Sequence, residues 1–264
     1  MKQFILSKKP DLNGRVWLEC SDYRYLVRVR RLAPGEYFPA VLPGGGEAMV
    51  KVCSVDNRML EGEVSQAAEC PASNAASSAH AASSALPPLF LFQALPKADK
   101  MDLIVRQAAE GALTEVVPFI SEFSARTCGA QKFSRWERVI KEARQQSGSA
   151  MATTVRQPVS LNSLFAYWEQ LTAQYCGMIG LLFHHLPLAN TSLHGYLSSI
   201  PEAVVLVIGP EGGFSSGEAE RFLDSGFKPF TIAGSVLRTE TAALYMAAAV
   251  RLLLLEKDSW KKNE

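Results

Sequence analysis

Short stretches of alternating apolar and polar residues fill the first 64 positions, whereas helical periods and unbroken apolar runs fill the chain after residue 88. Arg15–Glu19 (RVWLE) predicts a strand. Glu36–Leu42 and Glu47–Cys53, separated by Pro43-Gly44-Gly45-Gly46, predict a hairpin, and Asp56-Asn57 turns the chain into a further strand over Met59–Val64. So many short strands in so few residues point to a small β-barrel. Between them, residues 22–36 (DYRYLVRVRRLAPGE) carry Arg24, Arg28, Arg30 and Arg31 with Tyr23 and Tyr25 interleaved. Arg24, Arg28 and Arg31 are spaced i, i+4, i+7, which places them on one face of a helix. Arginine forks suit phosphates and tyrosine rings suit base stacking, so these four arginines are candidate RNA contacts. Spacing alone fits a solvated helix face equally well.

After residue 88 the pattern changes to alternating strands and helices. Apolar runs at Leu89–Leu95, Glu115–Ile120, Met178–Phe183, Ala203–Ile208 and Pro229–Ala233 predict strands. Helical spacing marks Lys100–Ala109, Phe133–Gln146, Leu161–Tyr175 and Thr239–Glu256. The uninterrupted run AVVLVI suits a strand covered on both faces. The alternation predicts an α/β layer with a mainly parallel sheet. Residues 65–88 (SQAAECPASNAASSAHAASSALPP) hold almost only small residues and one charge, Glu69, and read as a flexible linker. The predicted organisation is therefore 1–64, a small barrel; 65–88, a linker; and 89–264, the α/β domain.

Composition narrows the classes. The 264 residues are 48% hydrophobic and 20% charged, enough to bury a core and unlike a disordered chain. The net charge of +1 excludes a protein that coats nucleic acid by bulk charge but leaves room for a local basic face. The five cysteines are scattered without C-x-x-C, so neither a zinc site nor a disulfide framework is indicated. No metal is expected: His184 and His185 are adjacent rather than i, i+4. The apolar stretch Ala242–Val250 is cut by Arg251 before it reaches the ~20 residues of a membrane span. A cytoplasmic protein with no membrane partner is expected.

Two loops carry the candidate chemistry, because ligands of open α/β sheets bind beyond the carboxyl ends of the strands. Gly209-Pro210-Glu211-Gly212-Gly213 follows AVVLVI, and Ser215-x-x-Glu218 is a capping box that opens the next helix. The second loop, Gly234-Ser235-Val236-Leu237-Arg238, ends on an arginine at a helix entry, where Thr239 or Thr241 can cap. Together they predict a pocket with backbone amides, an apolar floor and one fixed cation, suited to a nucleoside rather than a polyphosphate. Neither G-x-G-x-x-G nor a P-loop is present.

IGPEGGFSSGEAE (208–220) and GSVLRTETAALYMAAAV (234–250) resemble the RsmE family, the uracil-N3 methyltransferases of 16S ribosomal RNA in the SPOUT superfamily. LVRVRRLAPGE, LPKADKMDLIVRQAAE, VVPFISEFS and RWERVIKEARQQSG follow in the family's order. The resemblance implies a PUA-like RNA-binding barrel, then an α/β trefoil-knot domain, and a homodimer acting on 16S ribosomal RNA of the small subunit. It implies S-adenosyl-L-methionine as cofactor, held by Leu182, Phe183 and His184, by Gly209, Pro210, Glu211, Gly212 and Gly213, and by Ile232, Ala233, Gly234, Val236 and Leu237. Methyl transfer to uracil N3 needs the base aligned with the methyl, its proton removed and charge on its oxygens stabilised. Arg238 is the candidate for charge stabilisation and Glu211 for orientation or proton removal. Departures from the family pattern include Arg24, Tyr25 and Arg30 in the basic segment, Phe123 where the family has arginine, Arg144, Gln145 and Ser149 at a helix end, and the Ala233–Ser235 loop. A catalytically weakened RNA-binding protein with the same fold is the alternative these departures raise.

Overall fold

A computed structural model describes residues 4–66, 86–124, 130–188, 191–232 and 235–256. Most of the expected linker and, at the candidate site, Ala233 and Gly234 lie outside the described residues. The chain groups into two compact units, 1–84 with 144–152, and 85–143 with 153–264.

The first unit is built on β1 (Phe4–Ile5), β2 (Arg15–Glu19), β3 (Tyr37–Val41), β4 (Glu47–Val55) and β5 (Met59–Gln66). The strand order is β1-β3-β4-β5-β2; β1 and β3 are parallel and the other neighbours antiparallel. Alternation decides which side chains face in: Val16 and Leu18 of β2 are buried while Arg15, Trp17 and Glu19 are exposed. Phe4, Leu18, Phe38, Val50, Val52 and Leu60 meet in one core. A bulge at Cys53 shifts the β4–β5 register and bends the sheet around that core.

The basic segment departs from the expected helix. A four-residue turn, α1 (Cys20–Tyr23), widens into a π-helix over Arg24–Val29, with the Arg30 N–H donating to the Tyr25 carbonyl at 2.9 Å. Hydrogen bonds that skip five residues break the i, i+4, i+7 stacking, and Arg31 leaves the helix in a left-handed conformation, φ 58°. Arg24, Arg28 and Arg31 therefore do not form one stripe.

The second unit holds a parallel sheet ordered β12-β10-β11-β6-β7-β8, with β9 also on β7. Its strands are β6 (Leu89–Ala94), β7 (Glu115–Ile120), β8 (Thr154–Val155), β9 (Val159–Ser160), β10 (Ile179–Phe183), β11 (Val204–Ile208) and β12 (Lys228–Phe230). The helices are α2 (Lys100–Glu110), α3 (Ala130–Ser147), α4 (Leu161–Gln174), α5 (Leu193–Tyr196), α6 (Ser216–Asp224) and α7 (Thr239–Glu256). Leu89 and Leu91 face the layer of α2, α3 and α7; Phe90 and Phe92 face the layer of α4 and α6. Both faces are covered, which is why the strands read as unbroken apolar runs. The last strand stops at Phe230, short of the expected Ala233: Thr231 instead turns its hydroxyl onto the carbonyls of His184 and Leu186, both at 2.8 Å.

Candidate functional site

The carboxyl ends of β10 and β11, the first residue of α2 and the entry to α7 surround a cavity of about 490 Å³, within the range of small-molecule sites. Phe183, His184, Gly209, Pro210, Glu211, Gly212, Gly213, Ile232, Val236, Leu237 and Arg238 all line it. Leu182 does not. Strand alternation turns its fully buried side chain into the opposite core with Phe92 and Val207.

The glycine loop is held tightly. Gly213 takes φ 73° and donates its N–H to the Pro210 carbonyl at 3.0 Å. A Cβ on Gly212 would stand 2.9 Å from the Cβ of Phe123, so only glycine fits beneath that residue. The capping box is present: Ser215 accepts from Glu218 N–H, and the Glu218 carboxylate accepts from Ser215 N–H. Buried Glu218 also accepts the Glu122 N–H at 2.9 Å, which fixes the 121–124 loop beside the glycines.

The second loop is tied to the first at its base. Thr239 does not cap its own helix. Its hydroxyl donates to the Gly209 carbonyl at 2.6 Å and accepts from Gln93 Nε2 at 2.9 Å. Because the threonine proton is committed to Gly209, Gln93 must present its amide N–H, which fixes the flip of that side chain. The Arg238 carbonyl accepts the first helical bond from Ala242 N–H, so the residue stands at the entry of α7. Its exposed guanidinium has no carboxylate partner among the described residues.

Glu211 is engaged rather than free. Lys97 N–H donates to both its oxygens, at 3.1 and 3.3 Å, and Lys100 Nζ is 2.8 Å from Oε1 and 3.5 Å from Glu240. Partial burial works to raise the Glu211 carboxyl, but the Lys100 bond and the backbone N–H donors outweigh it and hold the group below the usual carboxylate value. Hydrogen bonding to Glu211 correspondingly raises Lys100. His184 is buried, and burial lowers its pKa; its Nδ1 stands 3.1 Å from the Leu186 nitrogen and 3.2 Å from the Leu186 carbonyl oxygen, so the ring is tied to that backbone in either neutral tautomer.

Gln93 and Lys100 were not among the sequence candidates. A glutamine inside the apolar run LFLFQA is the available signal, since an amide buried on a strand covered on both faces calls for a hydrogen-bond partner. Among the described residues, no three His, Cys, Asp or Glu side chains are placed to share a metal ion. In the first unit, Arg24 and Arg28 line a second cleft; Arg30 is half-buried and Arg31 exposed, and neither lines it.

The model of a family described as an RNA methyltransferase domain matches residues 83–251. A ribosomal RNA small subunit methyltransferase E from Synechocystis sp. is 26% identical over 257 residues, covering 96% of this chain and 78% of that protein. A protein of the same name from Aquifex aeolicus is 29% identical, covering 82% and 86%. Among solved structures, a ribosomal RNA small subunit methyltransferase E from Neisseria gonorrhoeae bound to S-adenosyl methionine superposes with TM-score 0.73 at 24% identity, covering 96% of this chain and 98% of that one. The fold is that of the α/β knot methyltransferases with a separate N-terminal β domain.

Proposed function

The chain belongs to the RNA methyltransferase domain family, and on that premise we propose that it methylates N3 of a uridine in 16S ribosomal RNA of the small subunit, using S-adenosyl-L-methionine. The observation that carries the reading is the convergence of a glycine-rich loop, an apolar wall and an arginine that has no carboxylate partner among the described residues on one cavity at the carboxyl edge of the sheet.

The residues present fit such a cofactor. Ile208, Ile232, Val236 and Leu237 offer apolar walls for a purine ring, and Val236 is 80% exposed, awaiting cover. The glycines bring backbone close to whatever fills the space. When bound, the cofactor supplies an electrophilic methyl on sulfur. The protein aligns the uracil nitrogen with that methyl and keeps competing water out. Arg238, exposed at the rim with its charge unspent, stabilises negative charge on the uracil oxygens as the N3 proton leaves. Glu211, already bonded to Lys97 and Lys100, is a poor proton acceptor and holds the loop in place. The proton passes to solvent or to a group of the RNA.

Two further parts of the reading rest on surface chemistry. Leu244, Tyr245, Leu252 and Leu255 of α7 are each 42–53% exposed, although the opposite side of the helix is buried. A second copy of the chain covering this face makes the protein a homodimer. No described helix is long and apolar enough to cross a membrane, and a ribosomal RNA substrate places the protein in the cytoplasm. Calorimetry with S-adenosyl-L-methionine, followed by mass mapping of 16S RNA methylated in vitro, tests the activity. Failure to bind millimolar cofactor sinks it.

A further inference from the structure

We infer that Phe123, in the loop after β7, is a stacking platform for a base that flanks the target uridine. The inference rests on the proposed RNA substrate and names a residue that positions it. β7 runs parallel to β6, and β6 to β11, so the loop after β7 opens on the same carboxyl edge as the glycine loop after β11. Two buried serines close it into a turn: the Ser124 hydroxyl accepts the Ser121 N–H and donates to the Ser121 carbonyl, both at 2.9 Å. Glu122 is held between them by its N–H bond to the buried Glu218 carboxylate. This turn leaves Phe123 outside, 46% exposed. The core below is already filled: Phe119 stacks on Phe214 with centroids 6.4 Å apart and planes 6° apart, and Phe222 packs against both.

Exposure alone is ordinary for an apolar side chain. Position distinguishes this ring. Among the described residues of the second unit, only Phe123 and Tyr245 are exposed rings, and Tyr245 lies on the α7 face assigned above to a second copy of the chain. A Cβ on Gly212 would meet Phe123 at Cβ (2.9 Å) and Cγ (3.4 Å), so the root of the side chain rests on the loop that lines the cavity. Phe123 itself does not line the cavity. The uridine that enters to be methylated therefore passes out of its reach, and a neighbouring nucleotide stays at the rim. To enter, the uridine must leave its stack, which uncovers the face of an adjoining base. A ring fixed one residue from the cavity wall covers that face. The ring has neither charge nor hydrogen-bonding group, so it engages a π-face and accepts any base. Phe123 stands where the family has arginine, so the contact belongs to this chain.

The test is a cycle of RNA affinities measured with the full-length chain. The RNAs are a 16S-derived hairpin that contains the target uridine and the same hairpin made abasic on either side of that uridine in turn. Phe123→Leu keeps the Cβ and Cγ that rest on Gly212 and removes the ring. It is expected to weaken the intact hairpin roughly tenfold and to leave S-adenosyl-L-methionine affinity unchanged. One of the two abasic sites is expected to cost wild type a similar factor and Phe123→Leu nothing further, the mark of two groups that touch. Exchanging that flanking base for another should keep wild-type affinity within about twofold. Phe123→Tyr, which keeps the ring, restores both the affinity and the coupling. Equal affinity of Phe123→Leu and wild type for the hairpin overturns the inference, and so do additive losses at both abasic sites. A parallel fall in cofactor affinity also overturns it, because Phe123 would then only brace the Gly212 loop. If the cycle shows coupling but no methyl group is transferred, the enzymatic reading falls and the stack stands. If wild type methylates while both cycles are additive, the stack alone falls. Wild type that binds no RNA removes both.

Discussion

The Thr239 hydroxyl lies 2.6 Å from the Gly209 carbonyl and joins the two loops of the cavity at their roots. Because Thr239 also accepts from Gln93 on the central strand β6, both loops are anchored to the most buried part of the sheet. Thr239→Val keeps the shape but leaves the Gly209 carbonyl and one of the two Gln93 amide N–H groups without this partner, the other still donating to the Ala94 carbonyl, a loss of about 1–3 kcal/mol. Denaturant unfolding should show that loss, and calorimetry should show weaker binding of S-adenosyl-L-methionine. Thr239→Ser, which keeps the hydroxyl, should recover most of both. Equal cofactor affinity in Thr239→Val and wild type would mean the tie does not shape the site.

Glu211 and Lys100 make a pH prediction with two signs. The folded Glu211 carboxyl sits below its ordinary value, so its contribution is present above that value and is lost as pH falls through the lowered one. Lys100 is raised, so its contribution is present below its ordinary value and is lost as pH climbs through the raised one. Neither group titrates near neutrality. The rate of methyl transfer should therefore show no inflection from Glu211 between about pH 6 and 9. Glu211→Gln should lower cofactor affinity while leaving the shape of the pH profile unchanged. A profile limb that disappears in this variant would make Glu211 the proton acceptor.

His184 should remain neutral through physiological pH. Burial lowers its pKa below the ordinary 6.5, so the unfolded chain binds more protons as the solution is acidified. Its contribution to stability is complete above pH 6.5 and falls as pH drops toward the folded value. Proton NMR of the ring should give a midpoint below 6.5. A midpoint above 6.5 would show that burial does not govern the charge of this ring.

Only glycine fits at position 212, and Phe123 is the reason. Gly212→Ala would drive a Cβ to 2.9 Å from the Phe123 Cβ, on a loop that buried Glu218 prevents from yielding. Cofactor affinity should fall roughly tenfold, as expected of about 1–3 kcal/mol of overpacking. Phe123→Gly should rescue it in the double variant, with coupling well outside additivity. Additive losses would show that the two loops do not meet as the structure has them.

The doubly covered sheet was legible because its signal is local: Leu89 and Leu91 against Phe90 and Phe92, and Val205 and Val207 against Leu206 and Ile208, alternate within single runs. The two loops were legible because glycine and an arginine at a helix entry have few other uses there. What escaped depends on partners far along the chain. The two-residue strand Phe4–Ile5 exists only because Ala40 and Val41 pair with it. The π-helix at Arg24–Val29 buries Leu26, and no residue type encodes it. Arg58 joins Arg24 and Arg28 through a strand register that periodicity does not reveal. Gln93 looked like one polar residue in an apolar run until Thr239, 146 residues away, supplied its partner.

Arg238 separates binding from chemistry. Its carbonyl starts α7 through backbone geometry that alanine would reproduce, so Arg238→Ala should fold and should bind S-adenosyl-L-methionine nearly as wild type does. The guanidinium is exposed at the cavity and unpaired among the described residues, so no stabilising ion pair is lost with it. Its charge matters when negative charge accumulates on the uracil oxygens, that is, in the transition state. A fall in kcat and kcat/KM together, by about 10²–10³, is the signature of an interaction made only there. Arg238→Lys keeps the charge but loses the planar fork, and should recover part of the rate. A rise in KM or in cofactor Kd with kcat intact would instead make Arg238 a residue that holds the substrate or the loop.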